Sequence, residues 1–299
     1  MSLTRRSIGS RGQHELRAPV LEVSVLGGFE VERAGGTGPV SEWQRRSAKA
    51  LTKLLATSPE HALHREQIME LLWPGVRIDS ALNNLAKAVH AVRHALEPEL
   101  PPRGASAYLC TRDAMVSLVM SHVSIDADHF QRLAEEALRA PDVDACEGAL
   151  AAYGGELLPE DRYADWCAER RGFLAEMRVR LRLELAELYQ ARGSYNLAAD
   201  RLREVLCEDP AREAAHRRLM RLYVRMGMPD EALRQFRRCE DTLRRELDLI
   251  PHDETMRLAR EILSNGVSPN PCAYCGHVPD GATVTAWDEQ VDGDLLARA

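Results

Sequence analysis

Apolar residues recur at two different periods along this chain, and the change of period outlines its architecture. In "LEVSVLGGFEVERAGG" (21–36) they alternate and break at glycines, the pattern of short strands in a hairpin. Three segments of helical period follow. "SEWQRRSAKALTKLLATS" opens with Ser41 as N-cap and stops before Pro59, and "HREQIMELLWPG" stops at Pro74-Gly75. "DSALNNLAKAVHAVRHAL" (79–96) starts near Asp79 or Ser80 and ends by Pro98. "AYLCTRDAMVSLVM" then returns to a strand, a turn at Arg112-Asp113 and a second strand. Hairpin, three helices and hairpin, in that order, predict a winged helix over residues 20–122: a helix-turn-helix with a β wing.

Beyond the extended "SHVSIDA" the period changes again. Asp128 with Gln131 three residues later resembles a capping box that opens a helix to about Arg139. From there to Leu263 almost everything has helical period, broken at "APDV", "YGGELLPEDRY", "ARGSY", "EDPA", "MGMPD" and "DLIPHD". An internal repeat runs through this body. Leu185, Tyr189, Gly193, Ala198, Leu202 and Val205 match Leu219, Tyr223, Gly227, Ala232, Phe236 and Cys239, each pair 34 residues apart. That period, with small residues at helix crossings and glycine at the turn, is the tetratricopeptide signature. Pro210 closes the first repeat; the second has Arg244 there, and its helix runs on towards Pro251. The expected fold class is therefore mainly α, an N-terminal α+β winged helix followed by an all-α tetratricopeptide-like domain over 123–263. Such helix stacks offer surfaces to partners.

The third helix raises the functional question. Leu82, Leu85, Val89, Val92 and Leu96 form its apolar stripe. The opposite face, at about 100° per residue, carries Ser80, Asn83, Lys87 and His94, flanked by Asn84, His90 and Ala91. In a winged helix this element lies in the major groove, where Asn83 and Asn84 suit adenine edges and Lys87 and His94 suit guanine acceptors or phosphates. The same residues suit plain water, and only the order of elements around them favours DNA. Arg93 stands beside the stripe and is expected in a structural ion pair or at a phosphate on the edge. Arg45, Arg46 and Lys49, at the start of the first helix, are candidate phosphate ligands. Arg112 at the wing tip is a candidate for the minor groove.

Charge adjusts this picture. A net charge of -7 argues mildly against nucleic acid, since phosphates need positive partners. Yet residues 1–100 hold 13 Lys/Arg against 11 Asp/Glu, the remainder holds 26 against 35, and all three lysines fall in the first hundred residues. A weakly basic head on an acidic body suits a DNA-binding module joined to a protein-binding one. No run of about 18 apolar residues marks a membrane helix. "MSLTRRSIGSRGQHELRAP" lacks the apolar core of a signal peptide, so 1–19 is expected to be a disordered basic arm of a cytoplasmic, nucleoid-associated protein with no membrane partner. Seven scattered cysteines form no disulfide framework. His90 and His94 have metal-ligand spacing, but residue 91 is Ala and a third ligand is missing. In the acidic tail, 264–299, Cys272-x-x-Cys275 with His277 is half a zinc site or a redox pair, with no second C-x-x-C in the chain. Phosphate loops, carboxylate dyads and nucleophile–base pairs are lacking, so neither catalysis nor a cofactor is expected.

Taken together, "LGGFEV", "RRSAKALTKLLA", "REQIMELLWPG", "YGGELLPEDRYADWCAERR", "AAHRRLMRLYVRMGMPDEALRQF" and "LRRELDLIPHDETMRLAREI" resemble, in content and order, the Streptomyces antibiotic regulatory protein family. The resemblance covers about 20–263. It implies an OmpR-like winged helix joined to a bacterial transcriptional activation domain, in an activator that binds promoter repeats on double-stranded DNA as a dimer or paired monomers. It also makes the loop "WPGVRID" a contact for RNA polymerase, with Arg77 and Asp79 as candidates. Two departures stand out. The third helix lacks the second arginine that relatives more often carry near its start, and the Cys272/Cys275 tail is foreign to the family. The competing readings are a tetratricopeptide scaffold whose winged helix has lost DNA binding, and a metal- or redox-sensing regulator acting through the tail.

Overall fold

The computed structural model describes residues 20–33, 40, 43–101 and 104–266. The arm 1–19, Ser41 and the tail with Cys272, Cys275 and His277 lie outside the described residues. Two compact units divide between Ala215 and His216.

In the first unit, β1 (Leu21–Ser24) pairs antiparallel with β2 (Glu30–Arg33), and β6 (Val123–Ile125) joins β1 in parallel, giving the order β2-β1-β6. A second sheet has the order β3-β5-β4, from β3 (Ala62–His64), β5 (Met115–Leu118) and β4 (Leu109–Arg112). β3 escapes the sequence pattern because three residues are too few to show an alternation. Between the sheets run α1 (Arg46–Thr57), α2 (Arg65–Leu72) and α3 (Ile78–Leu96), so the winged-helix order holds. α1 starts later than an N-cap at Ser41 would have it. Trp43 packs on Phe29, ring centroids 5.7 Å apart, and Arg45 stays extended, so the chain enters the helix only at Arg46. α2 has a capping box the sequence reading passed over: His64 Nδ1 accepts from the Glu66 N–H (3.3 Å), and Gln67 Oε1 accepts from the His64 N–H (3.1 Å).

Leu51, Leu54 and Leu55 of α1, Ile68 of α2, and Val92 and Leu96 of α3 are buried together in the core. Arg33 donates to the carbonyls of Ala95 (2.6 Å) and Leu96 (3.0 Å), satisfying acceptors at the C-terminus of α3 and tying that helix to the first hairpin.

The unit continues through α4 (Asp126–Arg139), α5 (Val143–Ala151), α6 (Ala168–Ala191), α7 (Tyr195–Glu208) and the first turn of α8 (Glu213–Arg225). Asp142 caps α5, accepting from the Asp144 and Ala145 N–H groups. The capping box expected at Asp128 and Gln131 does not form. Both side chains turn instead to Arg170, at 2.9 and 2.5 Å. The carboxylate at the start of α4 is Asp126, which accepts from the N–H groups of Val25 (2.9 Å), Leu26 (3.0 Å) and Ala127 (2.7 Å).

That contact belongs to a seam joining the winged helix to α4–α6. Gly27 N–H donates to Glu156 O (2.9 Å) and Leu158 N–H to Val25 O (2.9 Å), with Leu26 bridged to Leu157. Two glycine pairs meet here. Gly27 has φ +83°, and a Cβ on it would stand 2.7 Å from Gly154 O; a Cβ on Gly155 would stand 2.8 Å from Gly27 Cα. Only glycine fits that conformation and that approach.

Alongside, Lys53, 7% exposed, lies 2.7 Å from Glu160 and 2.5 Å from Asp161, with its ammonium 5.3 Å from the Phe29 ring centroid. Burial alone would raise the Glu160 carboxyl, but the Lys53 hydrogen bond and charge outweigh it and hold the pKa below the ordinary carboxylate value. His61 Nε2 lies 2.9 Å from one oxygen of Asp128, whose other oxygen accepts from Arg170. Burial disfavours the His61 imidazolium, yet the Asp128 hydrogen bond and charge carry its pKa above the usual histidine value.

The second unit holds the rest of α8, α9 (Pro229–Leu247) and α10 (Asp253–Gly266). Leu219, Met220, Ala232, Cys239, Leu243 and Ile262 are buried in it. Glu254 receives Arg221 at 3.1 Å and Arg217 at 3.2 Å. The 34-residue repeat is visible turn for turn. Gly193 after α6 has φ +75° and Gly227 after α8 has φ +74°, and each is followed by an N–H that donates back to the repeat tyrosine (Ser194 to Tyr189, 2.8 Å; Met228 to Tyr223, 2.9 Å).

Candidate nucleic-acid interface

α3 buries Ala81, Leu85, Ala88, Ala91, Val92 and Leu96, and turns Asp79, Ser80, Asn83, Lys87, His90 and His94 to solvent. This is the polar face the sequence predicts, rotated slightly. Ala91, expected beside that face, is buried, and Asn84 is half-buried on the flank, so the exposed centre is Asn83, Lys87, His90 and His94. Two members of the predicted stripe, Leu82 and Val89, are only half-buried. The His90 and His94 rings meet edge to face, centroids 5.4 Å apart. Among the described residues, no three potential metal ligands gather there or elsewhere.

Arg93 makes a hydrogen bond rather than an ion pair, donating from Nη2 to Thr111 Oγ1 at 2.9 Å and so linking α3 to the wing. The wing turn is one residue later than expected. Its central residues are Asp113 (φ +50°) and Ala114 (φ +67°), a pair of positive φ values that matches the twist of a tight hairpin. Arg112 is therefore the last residue of β4. Ala114 O accepts the Arg65 N–H at 2.8 Å, which pins the wing turn to the first residue of α2.

Between α3 and the wing lies a groove of about 310 Å³ with Leu82, Ala86, Val89 and Met115 in it and Arg65 and Arg112 at its edges. Sequence reasoning missed Arg65. "REQIMELL" showed where α2 runs, but not that its first side chain faces the third helix and the wing. Among the described residues, Arg65, Arg77, Lys87 and Arg112 form no ion pair and are exposed.

The other candidates lie apart from this groove. Arg45 and Arg46 are exposed at the N-terminus of α1. Lys49 is half-buried, its ammonium 5.4 Å from the Phe29 ring centroid on the hairpin side. Arg77, at the end of the loop between α2 and α3, and Asp79, in the first turn of α3, are exposed beside two apolar side chains, Val76 and the 72% exposed Ile78. No helix among the described residues is long and apolar enough to cross a membrane.

Residues 125–263 match the bacterial transcriptional activator domain. The chain is also similar to the transcriptional regulator RedD of Streptomyces coelicolor, 23% identical over 274 residues that cover 87% of this chain and 77% of RedD. Both matches support the resemblance of the chain to transcriptional regulators of the Streptomyces antibiotic regulatory protein type. A solved structure of Mycobacterium tuberculosis EmbR, in complex with a low affinity phosphopeptide, shares the fold with a TM-score of 0.67 at 20% identity. That match covers 83% of this chain and 66% of EmbR. Two of the motifs that carry this resemblance lie away from α3. "LGGFEV" and "YGGELLPED" supply the glycine pairs and carboxylates of the seam, so they are written for the joint between winged helix and helical body.

Proposed function

We propose that this transcriptional regulator is a sequence-specific DNA-binding activator that reads promoter repeats through α3 and contacts RNA polymerase through the α2–α3 loop. The observation that carries the reading is the exposed row Asn83, Lys87, His90 and His94 on α3, set beside a wing and flanked by cations without carboxylate partners among the described residues. Asparagine offers adenine a donor and an acceptor together, and lysine serves guanine O6/N7 or a phosphate; each good bidentate base contact is worth roughly 1–3 kcal/mol of discrimination. Ser80 extends the row along the groove, and Asn84 contributes from its flank. Arg45 and Arg46 suit phosphates further along the duplex. Pairing of two copies on repeated half-sites supplies the remaining specificity.

The polymerase contact draws on Val76, Arg77, Ile78 and Asp79, because exposed apolar side chains ringed by charge are the usual makings of a protein-binding patch.

The test is retention of a promoter fragment captured from the genome. Asn83→Ala with Lys87→Ala abolishes sequence-specific retention while thermal unfolding stays that of the parent; specific retention that survives both changes refutes the assignment of this face. Ile78→Ala with Arg77→Ala keeps retention and lowers transcript yield in a reconstituted transcription assay.

A further inference from the structure

We infer that the groove between α8 and α10 is a docking site for the chain's own tail, and that segment 284–295 lies in it as an amphipathic helix with its acidic edge towards Arg225. The groove has a volume of about 450 Å³ and lies wholly within the second unit. α8 contributes Arg221, Val224 and Arg225 to it, and α10 contributes Leu258, Ile262 and Asn265. Ile262 is buried, Leu258 is half-buried and Val224 is 43% exposed, so apolar side chains run from the core out to solvent. A helical repeat buries its apolar face fully only against the next element of the array. Among the described residues no element follows α10. The groove is therefore an open face on which one more helix can stack.

The sequence after Gly266 supplies that helix. Val284, Trp287, Val291 and Leu295 recur at spacings of 3, 4 and 4, which at about 100° per residue gathers them within an arc of about 80°. Asp288 and Asp292 follow one edge of this stripe, and from residue 267 onward the tail holds five Asp/Glu against one Arg. On the groove side, Arg225 is exposed with no ion pair among the described residues, and Arg221 beside it is shared with Glu254 at 3.1 Å. Glu261 of α10 is the one carboxylate in the lining, so the edge of Asp288 and Asp292 belongs on the α8 side. The chain is long enough to make the turn. Residues 267–283 separate Gly266 from Val284 and extend to at most roughly 60 Å, whereas α10, with 14 residues, is about 21 Å long. Asn265 lines the groove, so the tail starts beside it. An outside partner that uses this face must displace the tail.

The test is fluorine NMR of the full chain labelled with fluorotryptophan at its four tryptophans, Trp43, Trp73, Trp166 and Trp287. Trp287→Phe identifies the Trp287 resonance. In the parent that resonance stands away from its position in denaturant, and its shift on exchanging water for heavy water is largely lost. Val224→Asp and Arg225→Glu each return it to the denatured position and leave the other three resonances unmoved, a pattern that misfolding cannot give. Adding Asp288→Arg and Asp292→Arg to Arg225→Glu restores the docked resonance, a rescue that a purely structural Arg225 would not allow. Three results overturn the inference. A Trp287 resonance at its denatured position in the parent means that the tail does not dock. A shielded resonance indifferent to both Val224→Asp and Arg225→Glu places the tail on another surface. A shielded resonance that is lost on dilution places it on a second copy of the chain.

Discussion

Several arginines of the helical body face carboxylates, whereas, among the described residues, four cations around α3 do not. In the body, Arg170 meets Asp128, Arg178 and Arg182 converge on Glu208, and Arg212 is clamped by Glu176 and Asp209. The hydrogen bonds Arg212 donates to Glu176, and to Asp209, push its pKa far above the ordinary value despite partial burial. Around α3 the pattern reverses, with Arg65, Arg77, Lys87 and Arg112 exposed and without carboxylate partners among the described residues. The comparison shows how a chain with a net charge of -7 can still serve the proposed DNA contact. A paired arginine cancels at short range, whereas an unpaired one still attracts at the distance of a Debye length, about 8 Å in physiological salt.

The comparison makes Lys53 and Lys87 opposites, and mutations can break or sharpen the contrast. The largest effect belongs to the seam itself. Gly27→Val forces a side chain to within 2.7 Å of Gly154 O at φ +83° and should cost the first unit roughly 3 kcal/mol in chemical denaturation; a loss within experimental error would show that the glycine pairs do not weld the two parts. Next, Lys53→Met strands Glu160 and Asp161 and should cost roughly 1–2 kcal/mol, an estimate discounted because both carboxylates are about a third exposed. The salt slope of DNA binding should stay as in the parent, since that charge is already neutralised. Lys87→Ala should do the reverse, changing stability by less than about 0.5 kcal/mol while weakening DNA retention.

A smaller effect comes from pH. His61 has a raised pKa, so its stabilisation is complete below the ordinary histidine value and is lost as pH rises through the raised one. Glu160 has a lowered pKa, so its share is present above the ordinary carboxylate value and is lost as pH falls through the lowered one. Stability of the first unit should therefore peak between the two, and His61→Gln should flatten the alkaline limb in a pH series of denaturant melts. The smallest effect is expected at Arg132, which pairs with Glu136 across one exposed helical turn. Arg132→Ala should shift stability by no more than about 0.5 kcal/mol and leave DNA binding alone.

Much of the fold was legible because it rests on period. The 34-residue repeat reappears as matching glycine turns at Gly193 and Gly227, and the order of hairpin, three helices and hairpin survives intact. Errors fell where tertiary contact overrides local pattern. Trp43 on Phe29 delays α1, and Arg170 draws Asp128 and Gln131 away from the cap they spell. The candidate interface was legible along α3, where one helix holds its parts, and illegible across the groove. Arg65 and Met115 come from elements distant in sequence, and no local spacing links them to Leu82 or Val89. The seam was hidden for the same reason, since "LGGFEV" and "YGGELLPED" read separately as turns and show their purpose only when the glycines meet.

The central claim is that the unpaired cations and asparagine row of α3 address DNA by sequence. Genome-wide capture of DNA bound to the parent chain and to the Asn83→Ala/Lys87→Ala variant tests it most directly. The account predicts one enriched motif, present as neighbouring repeats in promoters, for the parent and none for the variant. A parent that enriches no motif, or a variant that enriches the same one, would contradict it.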